Sequence, residues 1–269
     1  MSVPQFSYHE PNKALHSRIN AHQQYSDFDL HDWVSKKFPI VSGDDILDVG
    51  CGNGNFTALF WKAVGPDGRV FGFDKNAEAV ADARAAYGAL SPVNVKYYVQ
   101  DFDQPFADFG RPFDWVFSMY SLYYTEDSHK LLERLKGLLS PRGVFVVIGP
   151  GPDNVRELTA WSESLTGRKA DKEHFGRIER IACEFRPMFE KFFGKAHVSY
   201  EQVDSVMSFP DANSFAEYYW STLLWRDSIK GLPPERVDAL KAETLAYASR
   251  QLPVQVRKQM SCLIGRMVA

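Results

Sequence analysis

The sequence predicts an α/β fold in which a mostly parallel sheet is covered by helices on both faces. Apolar stretches of strand length alternate with stretches of helical length through residue 149, and the connections between them are short. Glycine is also concentrated, because seven of the 18 glycines fall within residues 43–72. Such a concentration indicates tight turns or a close approach of the backbone to a ligand.

The alternation begins at Asp45–Val49, a short apolar run that ends in glycines and is typical of a buried strand. Residues 56–64 are apolar and of helical length. A Gly-Pro-Asp-Gly turn at residues 65–68 separates them from a second strand at residues 69–73. The alanine-rich stretch Ala77–Tyr87 then favours a helix.

The second half of this region continues the same order. Ser91-Pro92 ends the alanine-rich helix, and residues 93–99 predict a third strand. Phe113–Met119 predicts a fourth strand. Five leucines at helical spacing within residues 131–139 precede a fifth strand at residues 144–148. Strands joined by helices in this way are expected to run parallel.

The pattern changes after residue 149. Residues 154–165 and 178–193 predict helices, while residues 196–209 and 259–268 predict two more strands. No linker divides the chain convincingly, so we expect one domain over residues 1–269. Its core is expected at about residues 30–150, 195–209 and 257–269, and its helical cover at residues 1–29, 152–194 and 210–256.

The insertion at residues 210–256 begins with a helix that carries aromatic residues over most of its circumference. Asp211 is its expected N-cap. The helix is either a lid over the site or a core helix packed on the sheet. A lid predicts that Tyr218, Tyr219 or Trp220 is partly exposed toward the cleft.

Composition and charge exclude several classes of protein. Hydrophobic residues make up 45% of the chain and charged residues 24%, which is ordinary for a soluble globular protein. The formal net charge is −3, so the basic excess typical of nucleic-acid binding is absent. No apolar stretch has the length of a membrane span, and the first residues lack a secretory signal. Three widely spaced cysteines favour a reducing cytoplasm, with no disulfide framework or metal pattern.

The sharpest segment is the glycine turn between the first strand and the next helix. Gly50, Gly52 and Gly54 would let a ligand lie against the backbone close to a helix N-terminus. Asp74 follows Gly54 by 20 residues and ends the second strand, where it could accept hydrogen bonds from ribose hydroxyls. The spacing differs from the dinucleotide pattern G-x-G-x-x-G, and Asp48 suits a cationic ligand better than a pyrophosphate. The turn therefore predicts a nucleoside ligand and disfavours a nicotinamide cofactor.

The sequence DVGCGNG at residues 48–54 resembles motif I of the class I S-adenosylmethionine-dependent methyltransferases. Later landmarks follow in the family's order over about residues 30–150. They are Asp74, the QDF sequence at residues 100–102, the strand at residues 113–118, and the turn at residues 135–143, in which Arg142 replaces a glycine of the family's pattern. The resemblance implies a Rossmann-like, doubly wound, mostly parallel seven-stranded sheet with an antiparallel last strand and a helical lid insertion. It also implies S-adenosyl-L-methionine as the cofactor.

The resemblance implies roles for residues around the glycine turn. The three glycines would pass beneath the methionine and ribose parts of the cofactor. Asp48 would hold the cationic amino group, and Asp74 the ribose hydroxyls. Cys51 would be a small packing residue beside the cofactor and not a nucleophile.

Further residues are implied for the adenine and methionine ends of the cofactor. Asp101 would accept from the adenine amine, and the backbone amide of Phe102 would contact the ring. Lys75 would lie along the adenosine edge, and the Ser118 carbonyl would face the methionine end. Tyr25, in the segment before the first strand, is a candidate to close the methionine side.

The acceptor site is less well defined. Relatives often carry a histidine after the fourth strand, where this chain has Tyr120, Tyr123 and Tyr124. We expect these tyrosines to shape the acceptor pocket, with packing as the alternative for two of the three. His22 and Tyr124 are weak candidates for a catalytic base. Tyr219 of the insertion is a further candidate for the acceptor pocket.

These observations predict methyl transfer from S-adenosylmethionine to a small-molecule acceptor by in-line displacement. The alternative is a non-catalytic protein that binds the same cofactor as a sensor or scaffold. We expect no nucleic-acid, membrane or metal partner. The acceptor, the methylated atom and the oligomeric state stay open.

Overall fold

The structure of the protein is a computed structural model that describes residues 12–87, 94–106, 108–170 and 172–268. Part of the predicted helical cover, residues 1–11, and the predicted helix break at Ser91-Pro92 lie outside these residues. Within the described ranges, no helix combines the length and the apolar character needed to cross a membrane.

Seven strands form one mixed sheet. Its central strand pairs in parallel with a neighbour on each side, and the strand that ends the chain is antiparallel to both of its neighbours. This confirms the predicted Rossmann-like sheet with an antiparallel last strand. The strands are β1 (Asp45–Val49), β2 (Arg69–Asp74), β3 (Val95–Val99), β4 (Phe113–Met119), β5 (Leu139–Pro150), β6 (Val198–Phe209) and β7 (Val254–Arg266), in the spatial order β3-β2-β1-β4-β5-β7-β6.

Helices cover both faces of the sheet. A π-helical turn at Ile181–Phe185 divides what the sequence predicted as one helix over residues 178–193, and Pro187 opens the helix that follows. The α-helices of the described part of the chain are α1 (Asn12–Tyr25), α2 (Leu30–Lys37), α3 (Asn55–Val64), α4 (Ala77–Tyr87), α5 (Ser128–Lys136), α6 (Arg156–Thr166), α7 (Lys172–Arg180), α8 (Arg186–Phe193), α9 (Ala212–Ser221), α10 (Leu223–Ile229) and α11 (Pro234–Ser249).

Apolar side chains fill the space between the sheet and its helices on each face. On one face, α2 and α3 contribute Val34 and Phe60, which are fully buried. On the other face, α5 and α8 contribute Leu131, Leu135 and Phe189. Every residue of β1 is buried as a result, as expected of a central strand in a parallel sheet covered on both sides.

A separate cluster of apolar side chains joins α1, α6, α9, α10 and α11 to the ends of β6 and β7; we call it the helical cluster. Helix α9 begins after Asp211, whose side chain accepts a hydrogen bond from Ser214 N at 2.9 Å. This confirms Asp211 as the N-cap. Helices α9 to α11 form the predicted insertion between β6 and β7. Because β7 is antiparallel, its first residues lie at the carboxyl edge of the parallel strands, where Met260 pairs with Pro150.

Two strands begin earlier than the apolar pattern predicted. Strand β5 begins at residue 139 and β7 at residue 254, against predicted starts at residues 144 and 259. For β7 the reason is pairing, since it follows β6 along its whole length, from Val198 opposite Gly265 to Phe209 opposite Val254. Backbone hydrogen bonds therefore extend the strand over residues 254–258, in which the buried Val254 and Val256 alternate with polar residues, a pattern that the prediction did not use.

Candidate active site

The glycine turn lies at the carboxyl end of β1 and leads directly into α3. Gly50, Gly52 and Gly54 all have positive φ angles, of 73°, 53° and 83°. Side chains at these angles are strained, so the turn favours glycine. A Cβ atom at Gly50 would lie 2.3 Å from Ser121 Cβ, whereas one at Gly52 would meet no atom within 4 Å. The backbone at Gly52 is therefore open to a ligand.

The Asp74 carboxylate faces this turn. Its Oδ2 accepts a hydrogen bond from Gly52 N at 3.0 Å, and its Oδ1 accepts one from Asn76 N at 2.9 Å. Burial raises the pKa of Asp74 above its ordinary value, although these two bonds favour the charged form. A carboxylate has about four lone-pair sites, so acceptor capacity is left for a ligand beside the turn.

Asp48 is buried beneath the same turn. Its Oδ2 accepts a hydrogen bond from Thr57 Oγ1 at 2.6 Å, while its Oδ1 has no hydrogen-bond partner within the described residues. Burial, with a smaller contribution from Asp74, raises the pKa of Asp48 to about 7. A buried carboxylate oxygen without a partner is costly, and a cationic group of a ligand would satisfy it. This atom fits the amino group of S-adenosylmethionine.

Cys51 lies inside the turn, and its thiol is buried against β2. Burial first, and then Asp48 and Asp74, raise the pKa of the Cys51 thiol well above its ordinary value. The thiol therefore stays protonated at neutral pH and is a poor nucleophile. A Cβ atom at Gly72 would lie 3.0 Å from Cys51 Sγ, so the glycine of β2 makes room for this side chain.

The loop after β3 holds the residues predicted for the adenine end. Asp101 Oδ1 accepts a hydrogen bond from Asp103 N at 2.9 Å. Phe102 is buried, and its carbonyl accepts from Arg134 Nη2 at 2.8 Å. Lys75 is exposed next to Asp74 at the tip of β2. The loop therefore lies beside the end of β2, since β2 and β3 pair in parallel as far as Asp74 and Val99.

Two serines fix the end of β4 against the glycine turn. Ser118 is buried, and its Oγ lies 2.7 Å from Ser121 Oγ. Ser121 Oγ in turn donates to the Val49 carbonyl at 2.6 Å. Ser121 and Thr57 were not predicted as site residues. Thr57 could have been found from its place in the first turn of the helix after the glycines, but nothing in the sequence marks Ser121.

Of the three tyrosines after β4, one is exposed and two pack in or against the core. Tyr120 has a positive φ of 57° and is 41% exposed. The protein packed around it nevertheless raises the pKa of Tyr120, and the nearby Tyr218 adds to this shift. The Tyr120 side chain is therefore partly exposed and lies near Tyr218 of α9. Tyr123 packs in the core against Tyr124, with 4.6 Å between ring centroids, so the packing alternative applies to this pair.

Helix α9 buries both of its adjacent tyrosines in the helical cluster, but their hydroxyl groups have different partners. Tyr219 is fully buried in the helical cluster, where its hydroxyl lies 2.6 Å from Ser162 Oγ. The expectation that Tyr219 lines the acceptor pocket is therefore replaced by a packing role. Its neighbour Tyr218, which the lid prediction expected to be partly exposed, is also buried in this cluster, but its hydroxyl receives a hydrogen bond from Lys258 Nζ at 3.3 Å. Trp220 is partly accessible, and the Lys241 ammonium lies over its ring. Helix α9 is therefore chiefly a core helix.

Helix α1 brings His22 next to Tyr218. The His22 ring meets Tyr218 edge-on, with 6.2 Å between ring centroids. Burial, followed by the charges of Lys258 and Arg18, lowers the pKa of His22 to about 3. His22 is therefore neutral and a weak base, which argues against its predicted role as a general base. Tyr25 packs on Phe209, with 4.9 Å between centroids, so its ring belongs to the helical cluster.

The opposite edge of the sheet carries an open depression of about 600 Å³ near Arg69, Lys96 and Arg111. There Arg69 forms an ion pair with Asp45 at 3.2 Å and donates hydrogen bonds to backbone carbonyls, including that of Phe109 at 2.6 Å. The depression lies at the amino ends of the strands, away from the glycine turn, and is not the candidate site. Among the described residues, no three His, Cys, Asp or Glu side chains are grouped so that they could hold a metal ion.

Comparison with known sequences identifies a family for this chain. A family described as a methyltransferase domain matches residues 40–184. The chain is 25% identical over 186 residues to demethylmenaquinone methyltransferase of Listeria welshimeri, covering 68% of this chain and 71% of that protein. It is 30% identical over 160 residues to trans-aconitate 2-methyltransferase of Escherichia coli O157:H7, covering 55% of this chain and 60% of that protein.

Comparison with solved structures gives the same fold. The structure of a putative methyltransferase from Bacillus halodurans covers 89% of this chain and 99% of its own, with a TM-score of 0.58 at 16% identity. The YcgJ protein of Bacillus subtilis covers 89% of this chain and 98% of its own, with a TM-score of 0.53 at 17% identity. At these identities the likeness shows the architecture of the sheet and its helices.

Proposed function

Because the chain belongs to the class I S-adenosylmethionine-dependent methyltransferases, we propose that it methylates a small-molecule acceptor by in-line displacement. S-adenosylmethionine is its cofactor and, when bound, supplies an electrophilic methyl group on a sulfonium. The contribution of the protein is then to align the acceptor with that methyl group and to exclude water. Alignment of this kind is worth effective molarities of about 10⁵–10⁸ M.

The observation that carries the proposal is the position of the Asp74 carboxylate against the open backbone of Gly52. In this proposal Asp74 would bind the ribose hydroxyls with the lone pairs that Gly52 N and Asn76 N do not use. Asp48 would hold the amino group through its unpartnered Oδ1. Gly50 and Gly54 would shape the turn beneath the ligand.

The remaining cofactor contacts are proposed from the loops that flank this turn. Asp101 and the backbone of Phe102 would bind the adenine, because their loop lies beside the end of β2. Lys75 would lie along the adenosine edge, and the Ser118 carbonyl would face the methionine end. Cys51 would support the turn by packing.

A small acceptor is supported by two features. The relatives described above carry names that specify demethylmenaquinone and trans-aconitate as acceptors. In this chain, Tyr120 follows β4 directly and is exposed at the carboxyl edge of the sheet, so it would line the acceptor site. We assign no general base to the reaction, because the lowered pKa of His22 makes it a poor proton acceptor.

Calorimetry with S-adenosylmethionine and with NAD tests the proposal. We expect wild-type protein to bind S-adenosylmethionine and not NAD. Asp74→Asn should weaken S-adenosylmethionine binding by about 2–3 kcal/mol, or roughly 30- to 150-fold, because it removes charge-assisted hydrogen bonds to the ribose. Asp67→Ala, in the exposed turn before β2, is the matched control and should bind normally. Tight binding of NAD, or full affinity in Asp74→Asn, would contradict the proposal.

A further inference from the structure

His22 and Lys258 both contact Tyr218 at the carboxyl edge of the sheet, and Tyr120 lies near it; we call this group of four side chains the cationic crevice. Lys258 is on the part of β7 that extends past the pairing of Met260 with Pro150, at the end of β5. Its Nζ donates to the Tyr218 hydroxyl at 3.3 Å. Lys258 and His22 are both partly accessible, so a small molecule could reach them.

The charge of Lys258 is not neutralised in this crevice. Within the described residues, Lys258 forms no ion pair with a carboxylate, and its one hydrogen bond goes to the neutral Tyr218. An ammonium group has three donors, so two donors are left for a ligand. A partly buried cation without a counter-ion is unfavourable, and an anionic ligand would offset that cost.

The charges near His22 indicate the sign of the electrostatic field around the cationic crevice. The charged groups that act on it are Lys258 and Arg18, and both oppose its protonation. Arg18 itself donates to the Ser221 carbonyl at 2.6 Å, which fixes its position at the end of α9. The field in the crevice is therefore positive, which suits an anion and disfavours a cation.

The cationic crevice is continuous with the proposed cofactor site. Tyr120 lines the crevice, and the next residue, Ser121, contacts Gly50 of the glycine turn. Tyr120 N also donates to the Ile148 carbonyl at 2.7 Å, which holds this segment at the end of β5. An acceptor bound at Lys258 would therefore lie next to the cofactor and not at a remote surface.

We propose that the methyl acceptor is a small molecule with a carboxylate group and that Lys258 binds this carboxylate, with Tyr218 and His22 beside it. This inference rests on the proposed function and adds the substrate class. A carboxylate is favoured over a phosphate because, of the two cations that act on His22, Arg18 donates to the Ser221 carbonyl, so the single charge of Lys258 is left to face the ligand and matches a monoanion. Lys258 is thus a specificity-determining residue for the acceptor.

Fractionation of natural acceptors tests the charge of the substrate. Metabolites from the cells that contain this protein are separated by anion exchange into retained and unretained fractions. Each fraction is incubated with wild-type protein and methyl-labelled S-adenosylmethionine. We expect label to enter compounds of the retained fraction, and phosphatase treatment of that fraction should leave the transfer unchanged. Transfer confined to the unretained fraction, or lost after phosphatase treatment, would overturn the inference.

Variants of β7 test the role of Lys258. Lys258→Met should raise the half-saturating amount of the active fraction about tenfold to a hundredfold, because a hydrogen bond to a charged group is lost. The maximal rate and the affinity for S-adenosylmethionine should change little, and Lys258→Arg should partly restore acceptor binding. Arg257→Met is the matched control, since Arg257 is exposed and pairs with Glu157 at 3.5 Å. Neighbouring residues of a strand point to opposite faces, so this control should behave as wild type.

Two results separate this inference from the proposed function. If methyl transfer occurs and Lys258→Met supports it as well as Arg257→Met does, the carboxylate inference is wrong while the proposed function stands. If neither fraction is methylated although S-adenosylmethionine binds, the proposed function itself is contradicted.

Discussion

At the scale of single residues, the buried carboxylate of Asp48 lowers the stability of the ligand-free protein but would serve cofactor binding. Its carboxyl is buried in a strand where every neighbour is buried, and one of its oxygens has no partner in the described protein. Asp45, three residues earlier on the same strand, is also buried but pairs with Arg69 at 3.2 Å and with Arg111 at 2.7 Å. The two aspartates should therefore respond to substitution in opposite ways.

Asp48→Asn should raise the melting temperature of the ligand-free protein at pH 8. The folded-state pKa of about 7 lies above the ordinary value of 3.8, so the folded state holds a proton that the unfolded state releases between about pH 4 and pH 7. Stability falls as pH rises through that window, by about 1.4 kcal/mol per pH unit at most, and asparagine removes the loss. Thermal unfolding at pH 5 and pH 8 measures the effect.

Asp45→Asn is the control for that prediction. It should lower the melting temperature at pH 8, because it leaves Arg69 without its buried partner. Asp48→Asn should also weaken S-adenosylmethionine binding, since it removes the charge that would face the amino group. A lower melting temperature for Asp48→Asn at pH 8, or unchanged cofactor affinity, would show that Asp48 is a structural residue.

At the scale of secondary-structure elements, α9 combines packing with a polar contact at the sheet edge. Successive residues of a helix point about 100° apart, so the hydroxyl groups of Tyr218 and Tyr219 reach different neighbours. Both rings are buried in the helical cluster, but the Tyr219 hydroxyl lies next to Ser162 Oγ, whereas the Tyr218 hydroxyl accepts from Lys258 Nζ. One turn of helix thus contributes both to the core and to the cationic crevice.

Tyr219→Phe should destabilise the protein by about 1–3 kcal/mol without changing acceptor saturation, because it leaves the buried Ser162 hydroxyl without its partner. Tyr218→Phe should cost less stability, since Lys258 can turn toward water, but it should raise the half-saturating amount of acceptor. Chemical denaturation and labelled methyl transfer measure the two effects. The reverse assignment of effects would restore Tyr219 as the acceptor residue.

The elements that the sequence predicted well are those with a local signal. Strands β1 and β4 were predicted at their observed bounds, because both are mostly apolar segments of strand length between clear breaks. The start of β7 was predicted five residues late, because its first part has only Val254 and Val256 among polar residues and is specified by pairing with β6. The π-helical turn at Ile181–Phe185 interrupts a continuous apolar helical pattern and has no sequence signal.

At the scale of the whole molecule, the two halves of the site differ in how far the sequence could predict them. The cofactor half lies on a contiguous turn and on loops that end successive strands, so the glycine spacing and the resemblance to the methyltransferase family were enough to propose Asp48, Asp74 and Asp101. The proposed acceptor half brings together residues from four separate parts of the chain, which are His22, Tyr120, Tyr218 and Lys258. These residues are widely separated along the chain, and only the packing of α1 and α9 on the sheet brings them together.

A crystal structure with bound S-adenosylhomocysteine tests the central claim most directly. We predict that the nucleoside lies over Gly52, with both ribose hydroxyls within about 3 Å of the Asp74 carboxylate. The amino group should face Asp48, and the sulfur should point toward Tyr120 and the cationic crevice. A nucleoside bound elsewhere, for instance in the depression near Arg69 at the amino edge of the sheet, with Asp74 free of contact, would contradict the account.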